Sequence, residues 1–171
     1  MADADALFRE HQPAVFRYLC RRVGQSEAAR DLTQEVFLRV SRTAAPETDA
    51  AGLRAWIFAI ARNLALNHAR DTRTRTPPID LPAAAPAVQE LAAAIEQALA
   101  GLAPVDRDVF LLRETAGLSY AEVAAACEIT TDAVRARLKR ARQQLRETLD
   151  GPVRVHRLRA VSLRGEWTGE R

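Results

Sequence analysis

Apolar residues recur at helical spacing along most of the chain. Phe8, Val15, Leu19 and Val23 fall on one side at intervals of seven and four, so residues 4–11 and 13–23 read as one kinked helix or two short ones. Pro13 suits a kink or a first helical position. Gly24 ends the run, and Ser26 is a candidate N-cap for a helix over 27–43 that buries Leu32, Val36 and Val40. Residues 44–52 carry no period and read as a loop. A long helix over 53–70 then buries Leu53, Ile57, Ile60, Ala61 and Leu64.

The pattern breaks at residues 72–87, TRTRTPPIDLPAAAPA, where four prolines and no helical period read as a linker. Periodicity resumes with Leu91, Ile95 and Leu99. Gly101 and Pro104 make a turn, a helix follows over 105–115, and Gly117 is a natural left-handed cap. Ser119-Tyr120-Ala121-Glu122 is a capping box that opens a short helix ending near Cys127. After the tight connection 128–130, capped by Thr130 or Thr131, a last helix runs to about residue 148. The expected fold is all-α: two small helical bundles joined by a Pro-rich linker. The boundaries are 5–75, a linker over 76–88, a second unit over 89–148 and a basic tail over 149–171. For that tail the reading is a disordered, solvated end, with a touch on upstream DNA or on a regulator as the alternative.

A short capped helix, a three-residue turn and a longer second helix are the build of a helix-turn-helix. The second helix divides cleanly. Val134, Leu138, Ala141 and Leu145 form one inward stripe, while Arg135, Arg137, Lys139, Arg140, Arg142 and Arg146 occupy the rest. Such a helix fits the major groove of B-DNA, where arginine grips guanine or phosphate, and its first amides can meet a phosphate. A solvated basic face on an ordinary bundle helix is the plain alternative. The capped partner helix and turn in front of it favour DNA.

Charge sharpens that reading. The net charge over 171 residues is only +3, but residues 131–171 hold eleven Lys/Arg against five Asp/Glu. Positive charge gathered at one end suits a polyanionic partner. Arginine supplies 24 of the 25 basic residues, which favours bidentate contacts; a GC-rich coding bias gives the same skew. With 48% hydrophobic and 27% charged residues the chain can bury a core. No apolar run nears the roughly 18 residues of a membrane span, and the acidic N-terminus lacks a signal core, so membrane insertion is not expected and a cytoplasmic protein is. His11, His68 and His156 have no metal-ligand spacing with each other or with Cys20 and Cys127. Neither a phosphate-binding glycine loop nor a nucleophile elbow is present. No catalytic residue, cofactor or metal is therefore expected, and the cysteines read as small core residues.

The second unit, with GLSYAEVA and AVRARLKRARQQLRE, resembles the promoter-binding C-terminal domain of bacterial sigma factors, although helix-turn-helix activators of the LuxR type look similar. The first unit separates the two. DLTQEVFLRV at 31–40 and LRAWIFAIARNLA at 53–65 look like the N-terminal conserved domain of extracytoplasmic-function (ECF) sigma factors, and the resemblance covers residues 5–148.

That resemblance implies a bacterial RNA polymerase sigma factor that recognises −10 and −35 elements and melts promoters. It implies three partners: core RNA polymerase through its large-subunit clamp helices, promoter DNA, and an anti-sigma factor. Asp31, Gln34, Glu35 and Leu38, an acidic-polar strip with one apolar residue, fall where the family docks polymerase. Trp56, Arg62, Asn63, Asn67 and Arg70 fall on the helix that reads the −10 element. There amides can meet base edges and an aromatic can stack on an extruded base, with Arg73 and Arg75 adding charge for phosphates. Partial burial in the core is the alternative for Trp56. Thr131, Arg135, Ala136, Arg137, Lys139 and Arg140 fall on the −35 helix. The loop over 44–52 has no aromatic and Leu53 stands where an aromatic is common in the family, so the −10 base does not carry over; Lys139 is a second departure. The remaining readings are a helix-turn-helix regulator that binds DNA without polymerase, and an adaptor that pairs only with proteins.

Overall fold

The computed structural model describes the backbone of residues 4–71 and 86–165, and the side chains of residues 5–71 and 88–150. Among the described residues there are seven helices and no strand. They are α1 (Ala4–Val23), α2 (Ser26–Arg42), α3 (Ala50–Asp71), α4 (Pro86–Ala100), α5 (Pro104–Glu114), α6 (Tyr120–Cys127) and α7 (Thr131–Gly165).

Helix α1 is continuous through Pro13. The ring removes one backbone donor, yet His11, Val15, Tyr18 and Leu19 are buried around that turn and hold it in register. Gly24 closes the helix at φ 76°. The N-cap of α2 is Gln25, not Ser26, which is already helical, and Gln25 makes no side-chain cap bond. Phe8, expected inside, is 43% exposed; Leu7 takes the buried place, and Phe8 rests edge-on against Phe37 with ring centroids 5.0 Å apart.

Helix α3 starts three residues before the expected point. Asp49 caps it: its carboxylate accepts from the Gly52 amide at 2.8 Å and its carbonyl from Leu53 at 2.9 Å. Gly52 packs closely on the loop, because a Cβ there would lie 2.1 Å from Thr48 Oγ1 and force that side chain to shift. The loop before α3 is thus folded onto the first turn of the helix.

Helix α3 is buried on two sides. Ala55, Ile57, Phe58, Ala61, Leu64 and Ala65 all lie inside, since α1 and α2 cover one face and α6 the other. Helix α1 also meets α5. One core cluster runs from Leu7 to Leu145 across both halves of the chain. The two expected bundles are thus packed against each other along this core. The linker core, 76–85, with Arg73 and Arg75 just before it, lies outside the described residues, and 86–88 belong to α4.

The second half follows its pattern closely. Gly117 is left-handed at φ 72°. Ser119 and Glu122 make the reciprocal capping box at 3.2 and 2.6 Å. Glu128 turns the chain at φ 56°, and Thr130 rather than Thr131 caps α7, its hydroxyl accepting from Ala133 at 3.2 Å. The last helix does not stop near residue 148. Residues expected to form a disordered tail stay helical to Gly165.

Candidate nucleic-acid interface

Helix α7 owes its placement to one stripe. Val134, Leu138 and Ala141 are essentially inaccessible and Leu145 is nearly so; this stripe packs on α4, α5 and α6. What remains outward is the basic face. Arg135, Ala136, Lys139, Arg140, Arg142 and Arg146 are exposed, while Thr131 and Arg137 are half-buried at the edge. Between this face and Tyr120 runs a groove of about 430 Å³ lined by Arg135, Lys139, Arg142, Gln143 and Arg146. Its wall is ordered by cation–π contacts: the guanidinium carbons of Arg113 and Arg135 sit 5.1 and 5.5 Å from the Tyr120 ring centre.

The basic face is held in position by acids. Asp106, buried in α5, accepts from Arg137 at 2.8 Å and faces Arg140 at 3.5 Å. Asp132 holds Arg135 at 2.6 Å and Glu114 holds Arg142 at 2.5 Å. The bond to Glu114 raises the Arg142 pKa above its ordinary value.

The proposed −10 residues divide between two environments. Asn63, Asn67 and Arg70 are exposed along one side of α3. Trp56 is half-buried against the core. Arg62 departs from its expected place: it turns inward, and its Nε donates to Asp108 Oδ2 at 3.0 Å. Asp108, on α5, is fully buried. Its Oδ1 also accepts from Arg22 Nε at 2.5 Å and Tyr18 Oη at 3.4 Å. Burial, reinforced by the Asp108 carboxylate, raises the Tyr18 pKa well above its usual value and keeps the phenol a donor.

Further contacts join the two halves. Arg54 donates to the Ala116 carbonyl at 2.7 Å and lies 3.6 Å from Glu122; Arg21 pairs with Glu96 at 2.6 Å; Arg107 donates to the Arg21 carbonyl at 3.0 Å. Reading the stripes missed Asp108 and Arg22. A signal existed, because each falls three and four residues from buried apolar neighbours: Asp108 before Leu111 and Leu112, Arg22 after Leu19 and Tyr18. Charged residues on an apolar stripe require buried partners.

On α2, Asp31, Gln34 and Leu38 are exposed and Glu35 is partly so. Leu38 is one of three large apolar side chains open to solvent among the described residues, with 46% of its surface accessible. Glu35 carries a bond from Arg39 one turn away at 2.7 Å.

Comparison with known proteins follows these two surfaces. Residues 7–75 match Sigma-70 region 2, and residues 92–145 match Sigma-70, region 4. The chain is 31% identical to the probable RNA polymerase sigma-C factor of Mycobacterium bovis, over 82% of its own length and 80% of the relative's. It belongs to the ECF family of RNA polymerase sigma factors. It is also 34% identical to the ECF RNA polymerase sigma factor SigE of Mycolicibacterium smegmatis across 87% of its length, but spans only 62% of that relative. Among solved structures, CnrH in complex with the cytosolic domain of CnrY matches this sigma factor with TM-score 0.66 at 25% identity, covering 86% of this chain and 88% of that one. The sigma factor RpoE in complex with the anti-sigma factor NepR, from Bartonella quintana, shares the fold at TM-score 0.61 and 20% identity, over 85% of this chain and 96% of that one. Sigma factors are non-catalytic regulators of polymerase. Among the described residues no helix is long and apolar enough to cross a membrane, and no cluster of acid, His or Cys side chains could hold a metal ion.

Proposed function

We propose that this sigma factor directs core RNA polymerase to promoters and opens them, with each half of the chain reading one element. The strip Asp31–Gln34–Glu35–Leu38 docks the clamp helices of the polymerase large subunit, its carboxylates facing basic residues and Leu38 entering an apolar contact. Asn63, Asn67, Arg70 and Arg62, with Trp56, serve the −10 element. The helix face Thr131, Arg135, Ala136, Arg137, Lys139 and Arg140 serves the −35 element from the major groove.

Opening the duplex then requires no covalent chemistry from the protein. Pairing and stacking lost by the extruded bases, a few kcal/mol, are offset by amide and aromatic contacts. Neither enzymatic activity nor cofactor enters this reading. The protein acts in the cytoplasm, and an anti-sigma factor restrains it.

The observation that carries the proposal is one pairing on one chain. An arginine-rich helix face is presented by a capped helix-turn-helix, and a separate acidic strip with an exposed leucine is left open on α2. Run-off transcription with core polymerase on a family-type promoter tests it. Specific initiation from core plus this protein alone is expected. A requirement for a second sigma factor would make it an activator, and no initiation under either condition would leave only a protein adaptor.

A further inference from the structure

We propose that a cleft in the seam between the two halves, where α1, α3, α4 and α5 meet, binds a small phosphorylated ligand of the nucleoside diphosphate class, its phosphates held by Arg22, Arg70 and Arg107. The proposal goes beyond the promoter-reading assignment and does not depend on it.

The cleft holds about 380 Å³, within the roughly 300–1,000 Å³ of small-molecule sites. Arg22 from the last turn of α1, Arg70 from the last turn of α3 and Arg107 from the start of α5 line it, and Leu66, Leu102 and Pro104 supply apolar wall. No carboxylate lines it; Asp71 follows Arg70 on α3 but stands outside. The buried acid behind it, Asp108, is shared by Arg22 and Arg62, so one positive charge is left over there. Arg70 is exposed and has no ion pair among the described residues. Arg107 has none either: a terminal nitrogen donates to the Arg21 carbonyl, and its Nε is buried without a partner. Burial, and next the charge of Arg22, lower the Arg107 pKa below its ordinary value.

The plain alternative is that these arginines only balance the fold. Helices α1, α3 and α4 end at this cleft and α5 begins there. Each C-terminus carries roughly half a negative charge and each N-terminus roughly half a positive one, so the helix ends offset about one of the three positive charges left over. About two remain, close to the charge of a terminal phosphate at neutral pH. Guanidiniums meet phosphate oxygens two bonds at a time, and a phosphate beside Arg107 would supply the counter-charge that a partly buried cation needs. The seat is recessed, since Arg22 is only 7% exposed. A terminal phosphate reaches such a seat, whereas a nucleic-acid backbone phosphate brings a sugar on both sides. The apolar wall suits the ring of a nucleoside better than a bare inorganic ion.

Isothermal titration calorimetry on the full chain, in phosphate-free buffer with ADP as the probe, tests this. One ADP should bind per chain, and adenosine, which lacks the phosphates, should not. Arg107→Ala should weaken ADP about tenfold or more. So should Ala100→Glu, which sets a carboxylate on the exposed rim of the cleft. Circular dichroism checks that both stay helical; should Arg107→Ala lose its helices, the surface variant decides. Arg30→Ala removes an exposed arginine of α2 that does not line the cleft, and should leave ADP binding as it was. Absent ADP binding, equal binding of adenosine, or an equal loss in Arg30→Ala would overturn the site. A −10 single strand without terminal phosphates separates the two sources of phosphate. Its affinity should be the same for the unaltered protein and Arg107→Ala, and a loss matching that of ADP would hand the cleft to the DNA backbone and refute the proposal.

Discussion

Arg140→Ala isolates what the outward face of α7 does. The Arg140 side chain is 64% exposed, and its only ion-pair contact among the described residues is with Asp106 at 3.5 Å. Arg137 remains on the other oxygen of Asp106 at 2.8 Å, so the buried carboxylate keeps its counter-charge. Loss of so exposed a contact costs the fold at most about 1 kcal/mol. If Arg140 reads a guanine, promoter binding loses about 1–3 kcal/mol, a factor of roughly 5 to 160. If it only neutralises a phosphate, affinity falls on all sequences alike and the salt slope drops by about 0.9.

Arg137→Ala cannot make this distinction. It strips Asp106 of its closer partner, so folding and binding would change together. The assay for Arg140→Ala is fluorescence anisotropy of reconstituted holoenzyme on duplexes with an intact or a scrambled −35 element, at several salt concentrations, beside a thermal melt. An affinity change below twofold on both duplexes, with an unchanged salt slope, would place this face of α7 off the DNA.

The docking strip and the buried thiol give two more. Asp31→Arg with Glu35→Arg should cut core-polymerase binding at least tenfold in a pull-down while leaving the melting temperature nearly unchanged. The surface is exposed, and the Glu35–Arg39 pair is worth only about 0.3–0.5 kcal/mol; normal co-purification would remove the docking assignment. Burial pushes the Cys127 thiol up to about 11, so at pH 8 almost none of it is thiolate. Cys127 should label with a thiol reagent only after denaturation, whereas half-buried Cys20, raised by burial to a lesser degree, reacts first; rapid labelling of native Cys127 would contradict the packing of α6.

Much of the site could be read from the residues because it depends on local rules. The capping box at Ser119 and Glu122, the left-handed Gly117 and the inward stripe Val134–Leu138–Ala141–Leu145 all follow from interactions within a few residues. The start of α3 was misplaced although Asp49 is a good capping residue, because Gly52 in the first turn reads as loop. There the deciding fact is the close approach of Thr48, four residues back, which an apolar pattern does not show. Two-sided burial of α3 was hidden for a similar reason. A stripe search finds one apolar face, and Ala55 and Ala65 carry little pattern of their own. The seam was harder still, since its partners are 46 to 90 positions apart in sequence.

Within the apolar core that runs through both halves, the seam also holds a buried carboxylate, Asp108. A buried ion pair contributes little net stability, since desolvation of both partners offsets most of the attraction, yet losing one partner is costly. Such a joint specifies a single register and leaves the strength of the packing to the apolar core around it.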